Sequence, residues 1–325
     1  MGNNINTEDN SLEMAMPVQS WDGGVVIKNI VKTYGKKKEV NALKDISFNV
    51  SRGELFGIIG PDGAGKTSLF RILTTLLLAD SGQATVDGLD VVNDYKAIRK
   101  TVGYMPGKFS LYPDLSVEEN LNFFATIFNT SLRQNYELIK DIYVQIEPFK
   151  NRKAGKLSGG MKQKLALCCA LIHRPTVLFL DEPTTGVDAV SRKEFWEMLK
   201  GLKQQGITIL VSTPYMDEAD LCDRVALMQN GKILSINTPA GIVNDFSKLL
   251  LAVKSPRMLH LLNELQQQDF VQDIYPFGEY HHVVIKNKES EKLLFEFIEN
   301  LKSEHAVIQQ VKPNIEDCFI ALMKN

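Results

Sequence analysis

The chain has 325 residues and a hydrophobic content of 44%, which predicts two domains, or one large domain with an appendage, around a buried core. Its 37 lysines and arginines stand against 39 aspartates and glutamates, so the formal net charge is −2 at pH 7. This balance argues against nucleic acid as a partner, because sequence-independent binding of nucleic acid needs a strongly basic surface.

The cysteines indicate no metal centre, and no membrane span is indicated. The 4 cysteines show no metal-ligand spacing, so we expect reduced thiols of the core and no disulfides. No run reaches the roughly 18–20 apolar residues of a membrane span. Residues 1–23 are polar, lack the pattern of a secretory signal, and are interpreted as a disordered tail. The protein is therefore expected to be soluble or peripheral, and to act at a membrane only through another chain.

The first predicted elements are two strands, at 25–34 and 45–50. The lysines at 36–38 between them are interpreted as a solvated hairpin tip. A third strand, at 55–59, is apolar throughout and leads into the first motif.

That motif is a glycine-rich loop followed by a helix predicted over 68–78. Small residues let backbone N–H groups turn toward a phosphate chain, and the helix N-terminus adds positive potential. The spacing GxxxxGK[ST] places Lys66 at the terminal phosphates and the Thr67 hydroxyl at a magnesium ion. A nucleotide site is predicted, since a glycine-rich surface turn would not explain the lysine. Its residues are Gly60, Pro61, Asp62, Gly63, Ala64, Gly65, Lys66, Thr67 and Ser68.

A helical insert is predicted between two sheet segments, at about residues 107–173. It follows short predicted strands at 83–86 and 102–105, and Ser116 and Glu119 have the spacing of a capping box at a helix start. The predicted helices of the insert cover 117–128, 132–146 and 159–173.

Alternation of strand and helix resumes with strands at 176–180 and 207–212 around an amphipathic helix at 188–203. A short helix at 216–222 and a hairpin with a turn at Asn230-Gly231 follow. The alternation predicts a mostly parallel sheet with its ligand at the carboxyl ends of the strands.

A domain boundary is placed after residue 246, so that the predicted divisions are 1–23, 24–246 and 247–325. The last division follows the order β-α-β-β-α-β and then a helix, which predicts a small ferredoxin-like α+β domain. Within it, Ser255-Pro256 is interpreted as a helix cap with proline at the first helical position. No internal repeat is evident, so one nucleotide-binding unit per chain is expected.

Two adjacent carboxylates, Asp181 and Glu182, end the apolar strand at 176–180. Such a pair suits a magnesium-nucleotide site. Asp181 would hold the metal, usually through water, and Glu182 would act as the general base on the attacking water.

A second anion site is predicted about twenty residues upstream of Asp181. There the Ser158 hydroxyl and glycine amides lie at a predicted helix N-terminus. One lysine loop and two phosphate-binding helix ends in one chain favour a head-to-tail pair, in which each chain's second site closes over its partner's nucleotide. The segment comprises Leu157, Ser158, Gly159, Gly160 and Met161.

In this order and spacing, GPDGAGKT, LSGGMKQ and LFLDEPTTGVD resemble the motifs of the ATP-binding cassette (ABC) ATPase family over about residues 24–246. The resemblance implies a P-loop NTPase fold with a helical subdomain, and ATP and Mg²⁺ as cofactors. It also implies that Tyr34 stacks on adenine and that Asp188 lies across a dimer interface.

Other stretches point to one subgroup of the family. Residues 103–106 and 112–120 resemble the ABC-2 type exporter subgroup, and residues 312–320 resemble the tail of daunorubicin-resistance-type exporter ATPases. This implies two partners, an integral membrane permease subunit and a second ABC ATPase subunit, at the cytoplasmic face of the cell membrane.

Two positions depart from the family's pattern. Gly107 stands where the family has a glutamine that contacts the magnesium and the attacking water, and Pro214 stands where a histidine touches the γ-phosphate. Loss of one transition-state donor costs about 10²–10³-fold in rate. Slow hydrolysis with persistent ATP binding is therefore expected. No histidine lies close in sequence to replace the missing one: the five are His173, His260, His281, His282 and His305.

Two hypotheses follow and stay open here. The chain is a working ATPase subunit that forms a homodimer, or it is a hydrolysis-impaired subunit that completes a competent partner's site in a heterodimer. A soluble ABC ATPase of translation or DNA repair is disfavoured by the single cassette with an exporter-like tail.

Overall fold

A computed structural model describes residues 24–35, 39–108, 111–300 and 306–324. The predicted tail at 1–23, the lysines at 36–38 and His305 lie outside the described residues.

The strands alternate with helices in the first two thirds of the chain, as predicted. The strands are β1 (Val25–Tyr34), β2 (Val40–Val50), β3 (Leu55–Ile59), β4 (Ser81–Val86), β5 (Leu89–Asp90), β6 (Val102–Met105), β7 (Val177–Asp181), β8 (Thr208–Thr213), β9 (Arg224–Gln229), β10 (Lys232–Asn237), β11 (Leu249–Lys254), β12 (Val271–Phe277), β13 (Tyr280–Ile285) and β14 (Val307–Gln310). The helices are α1 (Lys66–Leu73), α2 (Tyr95–Thr101), α3 (Val117–Ile127), α4 (Tyr136–Tyr143), α5 (Gly159–Leu171), α6 (Ala189–Gln204), α7 (Pro239–Asn244), α8 (Met258–Leu265), α9 (Glu289–Asn300) and α10 (Ile315–Met323).

Two sheets build the larger unit, which runs from β1 to α7. The first has the order β10-β9-β3-β8-β7-β6. All its neighbouring strands are parallel except β10, which is antiparallel at the edge. The second sheet, β2-β1-β4-β5, is antiparallel throughout. The predicted α/β class with a mostly parallel sheet is confirmed.

Strand β3 is buried on both faces and therefore divides the core in two. Leu55 and Ile59 face a cluster that contains the apolar residues of α3 to α6. Phe56 and Ile58 face a second cluster, formed with the antiparallel sheet and α1. Because side chains alternate along a strand, one apolar run serves both clusters and fixes the carboxyl end of β3 at the centre of the fold.

Several helix bounds differ from prediction. The chain turns left-handed at Thr75, where φ is 63°, so α1 ends at Leu73 and does not reach residue 78. The helix predicted over 132–146 is shortened to α4. The segment Met216–Leu221 is a 3₁₀ helix. By contrast, α3 begins where expected, because Ser116 and Glu119 form the predicted capping box.

The accessory unit, from β11 to β14, has the sheet order β12-β13-β11-β14 with every neighbouring pair antiparallel. This is the strand order of a ferredoxin-like fold, in the element order predicted. The predicted cap at Ser255-Pro256 was wrong, because a turn intervenes and α8 has Arg257 at its N-cap. The Ser255 hydroxyl instead accepts a hydrogen bond from the Arg257 N–H, at 3.3 Å.

The last helix, α10, packs against the larger unit although it follows the accessory sheet in sequence. Its residues Ile315, Cys318 and Phe319 join the same core cluster as α3 to α6, and it contacts α7, β10 and Met216–Leu221. On its other side, Asp317 accepts hydrogen bonds from Tyr275 at 2.9 Å and His282 at 2.6 Å. The helix therefore ties the two units together, and the boundary predicted after residue 246 stays a prediction.

The cysteines are free and buried, as expected of reduced core thiols. In the part of the chain that the structure describes, we find no helix with the length and apolar character needed to cross a membrane.

Candidate nucleotide-binding site

The loop after β3 can be formed only with glycine at two positions. A Cβ on Gly60 would collide with the carbonyl oxygen of Met228, and one on Gly65 with that of Ala42. Gly65 is also the N-cap of α1, with a φ of 110°, a conformation that other residues rarely adopt. These glycines turn the chain from the end of β3 directly into α1, so that the helix N-terminus points at the loop's concave side.

Lys66 is buried at the bottom of this loop, with only 3% of its surface exposed. Its ammonium group donates to the carbonyl oxygens of Gly60 at 2.8 Å and Pro61 at 3.1 Å. It also lies 3.2 Å from Oε1 of Glu182. A buried cation needs an anionic partner. The loop at residues 60–68, which we call the phosphate loop, therefore holds a cation that can bind an anionic phosphate. In this structure the Glu182 carboxylate is the anionic partner of that cation.

Asp181 and Thr67 come together across the ends of β7 and α1. Asp181 is 2% exposed, and its Oδ1 accepts hydrogen bonds from Thr67 Oγ1 at 3.1 Å and Ser212 Oγ at 2.6 Å. Carboxylate and hydroxyl oxygens are the ligands that magnesium prefers, so the residues fit this ion.

Ser212 was not predicted from the sequence. Its register opposite Asp181 in the parallel pair of β7 and β8 brings the hydroxyl to the carboxylate. Its side chain and carbonyl oxygen both accept from the backbone N–H of Glu182, at 3.1 and 3.0 Å. Glu182 itself has a φ of 51°, a strained conformation for a residue with a side chain. Ser212 therefore holds both carboxylate residues in place.

A cleft of about 690 Å³ opens above these groups, a size typical of small-molecule sites. Tyr34 lies at its edge, 37% exposed, with its hydroxyl 3.1 Å from Ser68 Oγ. Its ring is therefore available for stacking. Sequence reasoning missed five lining residues, which come from β2 and the β9–β10 turn: Val40, Asn41, Ala42, Lys44 and Asn230.

The second predicted anion site and Asp188 lie outside this cleft. Ser158 caps α5 and accepts from the N–H of Met161 at 3.4 Å. Asp188 caps α6, and its hydrogen bonds from Ser191 hold the pKa of the carboxyl below its usual value. Gly160 lies against Ser191, so these two helix N-termini are neighbours on one face, where Ser158, Gly159 and Asp188 are exposed and Leu157 and Gly160 are buried. We call this face, which comprises residues 157–161 and 188, the signature face.

Gly107 lies beside Asp181 and Glu182. A Cβ on Gly107 would be 3.0 Å from the carbonyl oxygen of Asp181, which is a tight approach. Pro214 follows directly on β8 and the buried Thr213. Neither residue offers a side-chain donor to the cleft.

The described histidines lie elsewhere. His173 stacks on Phe128, and burial lowers its pKa. His281 and His282 are buried in β13, and His260 is exposed on α8.

Comparison with known proteins identifies the family. A family model of ABC transporters matches residues 43–185. Nod factor export ATP-binding protein I of Burkholderia lata is 38% identical over 233 residues, which cover 71% of this chain and 74% of that protein. The chain belongs to the ABC transporter family. The resemblance stated from the motifs is thus confirmed, and the larger unit is an ABC cassette.

Other relatives of the cassette carry related names. YbhF of Escherichia coli, named "Probable multidrug ABC transporter ATP-binding protein", is 38% identical over 287 residues, which cover 87% of this chain and 49% of that protein. This chain thus spans about half the length of YbhF. The doxorubicin resistance ATP-binding protein DrrA of Mycobacterium tuberculosis is 39% identical over 220 residues, which cover 67% of this chain and 66% of DrrA.

Solved ABC cassettes share the fold. The cassette MJ0796, solved as a dimer in a post-hydrolysis state with ADP and Pi, superposes with a TM-score of 0.60 at 27% identity, over 66% of this chain and 98% of that one. The cassette CbiO1 of Clostridium perfringens, part of the transporter complex CbiONQ, gives a TM-score of 0.61 at 26% identity, over 69% and 92% of the two chains.

Proposed function

We propose that this chain binds Mg-ATP in the cleft above α1 and hydrolyses it as the nucleotide-binding subunit of an ABC-2 type exporter. The observation that carries the proposal is the meeting of three groups at the ends of β3 and β7. These are the buried ammonium of Lys66, the Thr67–Asp181 pair, and the carboxylate of Glu182.

Each group has a role in the proposed reaction. Lys66 and the loop's backbone N–H groups bind the β- and γ-phosphates, and the Tyr34 ring stacks on adenine. A magnesium ion bound with ATP would be held by Thr67 and Asp181 and would neutralise phosphate charge. Glu182 accepts the proton of the attacking water. For this, its carboxylate must leave Lys66, which the arriving phosphates favour because they take over the ammonium group.

We propose that two chains pair head to tail, with the signature face of each closing over the nucleotide of the other. The support is that Ser158, Gly159 and Asp188 are exposed and do not line the chain's own cleft, and that a solved relative is a dimer. Closure of the pair is then an ATP-binding event, and hydrolysis releases it. In the partner's site, Ser158 and the amides of Gly159 and Gly160 would contact phosphate, and Asp188 would lie across the interface.

We propose that a permease subunit docks on an apolar groove between β6 and the helical insert, at the cytoplasmic face of the membrane. Met105, Pro106 and Phe124 are among the residues that line the groove, and Tyr112 beside it is 47% exposed. Asn120 is fully buried and bonds the backbone N–H and carbonyl oxygen of Tyr112, so the loop beside the groove is fixed. The relatives named for export or drug resistance support this partner.

A second reading, a hydrolysis-impaired subunit of a heterodimer, is favoured by Gly107 and Pro214. In it the chain's own site mainly binds ATP, while its signature face serves a competent partner.

Restoring both family residues is expected to raise turnover. In the double variant Gly107→Gln and Pro214→His, two donors reach the γ-phosphate region, each typically worth about 10²–10³-fold, although two donors in one site do not simply add. The tight 3.0 Å approach at residue 107 requires a small shift of the backbone. Gly107→Ala is therefore the matched control for this shift. Steady-state ATPase assays measure the effect, and an unchanged rate in the double variant would contradict these roles.

The proposed function is tested by purifying the chain from membranes and assaying the isolated chain and the complex. We expect an integral membrane protein to co-purify, and the isolated chain to bind Mg-ATP but hydrolyse it slowly. Rapid turnover of the isolated chain would contradict the heterodimer reading, provided that Glu182→Gln abolishes it. If no integral membrane protein co-purifies with the chain, the exporter role is contradicted.

A further inference from the structure

The segment at 213–218, which follows β8, is held by an internal network. Thr213 is fully buried, and its carbonyl oxygen accepts from the N–H of Gly60 in the phosphate loop at 3.2 Å. Its hydroxyl donates to Glu218 and accepts from the N–H of Tyr215 at 3.1 Å. The backbone of Thr213 thus contacts the phosphate loop, and its side chain contacts Glu218.

Glu218 is a carboxylate with only 1% of its surface exposed. Its Oε2 accepts from Thr213, and its Oε1 lies 3.2 Å from Nε of Arg192. The same guanidinium lies 3.1 Å from the exposed Asp217 and 4.3 Å from the centre of the Tyr215 ring. A buried carboxylate is stable only when its oxygens are satisfied, so Glu218 fixes its two partners relative to each other.

Arg192 brings the signature face into this network. It lies in the first turn of α6, where its N–H donates to the carbonyl oxygen of Asp188 at 2.9 Å. The preceding residue, Ser191, packs against Gly160. A continuous set of contacts therefore runs from the signature face through Arg192 and Glu218 to the end of β8.

The end of β8 is also where the catalytic carboxylates are held. Ser212, next to Thr213, donates to Asp181 and accepts from the N–H of Glu182. A small displacement of this strand end would move both carboxylates, and misplacement of reacting groups by about 1 Å can cost about 100-fold in rate. Lys66 and the loop amides, which bind the phosphates, are positioned mainly by β3 and α1, so ATP would keep most of its contacts even though Asp181 moves.

We propose that Glu218 is a positioning residue for hydrolysis, which holds the end of β8 against the phosphate loop and couples it to the first turn of α6. The inference rests on the proposed ATPase function. It predicts that loss of Glu218 slows the chemical step by much more than it weakens Mg-ATP binding. A role confined to folding would lower the amount of active protein and leave the rate per bound ATP unaltered.

The test is Glu218→Gln, measured by single-turnover hydrolysis and by equilibrium binding of Mg-ATP. Glutamine keeps the shape, but its amide nitrogen cannot accept a hydrogen bond, so either the Thr213 O–H or the Arg192 N–H loses its acceptor. We expect the single-turnover rate to fall by about 10-fold, as when a group that orients a metal-binding side chain is removed. The Kd for Mg-ATP should rise by much less than the rate falls, because the phosphate-binding groups of β3 and α1 remain.

The matched control is Asp217→Asn, because Asp217 pairs with the same guanidinium but is 75% exposed. An exposed ion pair contributes little to stability, so the single-turnover rate of Asp217→Asn should stay close to that of the wild type. If Glu218→Gln does not fold, Thr213→Val tests the same contact, since it removes the hydroxyl that bonds Glu218 and nearly keeps the shape. The single-turnover rate should fall in Thr213→Val and stay near the wild-type value in Thr213→Ser, which keeps the hydroxyl.

Two results would overturn the proposal. One is an equal rate in Glu218→Gln and wild type, and the other is a loss of affinity in proportion to the loss of rate. Absence of Mg-ATP binding by the folded wild-type chain would instead count against the proposed function, so the two failures are distinguishable.

Discussion

Replacing Glu182 with glutamine is expected to lower the single-turnover rate of ATP hydrolysis by about 100- to 10,000-fold, the usual contribution of a general base. The amide cannot accept the proton of the attacking water. Binding of Mg-ATP should persist or tighten. In the wild type, the carboxylate lies 3.2 Å from the Lys66 ammonium and competes with the phosphates for it. Hydrolysis of radiolabelled ATP with the protein in excess measures the chemical step.

The control for this prediction is Glu194→Gln on the same chain. Glu194 is an exposed carboxylate that is paired with Lys164 at 2.7 Å and does not line the cleft. Glu194→Gln should leave the single-turnover rate of ATP hydrolysis unchanged. An undiminished rate in Glu182→Gln would show that another group accepts the proton.

Replacing Lys66 with alanine is expected to weaken Mg-ATP binding by about 10- to 100-fold, which corresponds to the loss of one charge-assisted hydrogen bond. The ammonium is almost completely buried and has a carboxylate and two backbone carbonyls as partners. Removing it also leaves Glu182 without a cation and makes the cleft more negative. Both effects disfavour an anionic ligand. Isothermal titration calorimetry gives the affinity directly.

Lys200→Ala is the matched control for Lys66→Ala, because the side chain of Lys200 is 41% exposed and pairs with Glu197, one turn earlier on α6. It should bind Mg-ATP with wild-type affinity. Equal affinity in Lys66→Ala and wild type would mean that the ligand does not contact the phosphate loop.

The parts of the site that the sequence predicts are those encoded within short segments. Gly60, Lys66 and Thr67 follow one strand at fixed spacing, and Asp181 and Glu182 end another, so local pattern is enough to find them. Alternation of strand and helix likewise predicts that these strand ends meet at one edge of a parallel sheet.

The contacts that the sequence does not predict join residues far apart in the chain. Ser212 reaches Asp181 only because β7 and β8 pair in a particular register, and Arg192 reaches Glu218 from another helix. Nothing in the local pattern distinguishes Glu218 from a surface glutamate. The only sequence signal is a polar residue at the end of an apolar strand, which marks Ser212 as worth testing.

The fold shows the same limit at α10. Its apolar residues predict that one face must be buried, but not which unit buries it. The face packs on the larger unit, while Asp317 bonds to the accessory sheet, because both surfaces reach the helix only in the folded chain. Likewise, the left-handed turn at Thr75 overrides the helical pattern that continues to residue 78.

The most direct test of the account is calorimetric titration of the purified wild-type chain with Mg-ATP, alongside Lys66→Ala. We expect saturable binding to the wild type, and clearly weaker binding to the folded variant. A folded wild-type chain that gives no binding heat over a range of temperatures and does not gain thermal stability with Mg-ATP would contradict it.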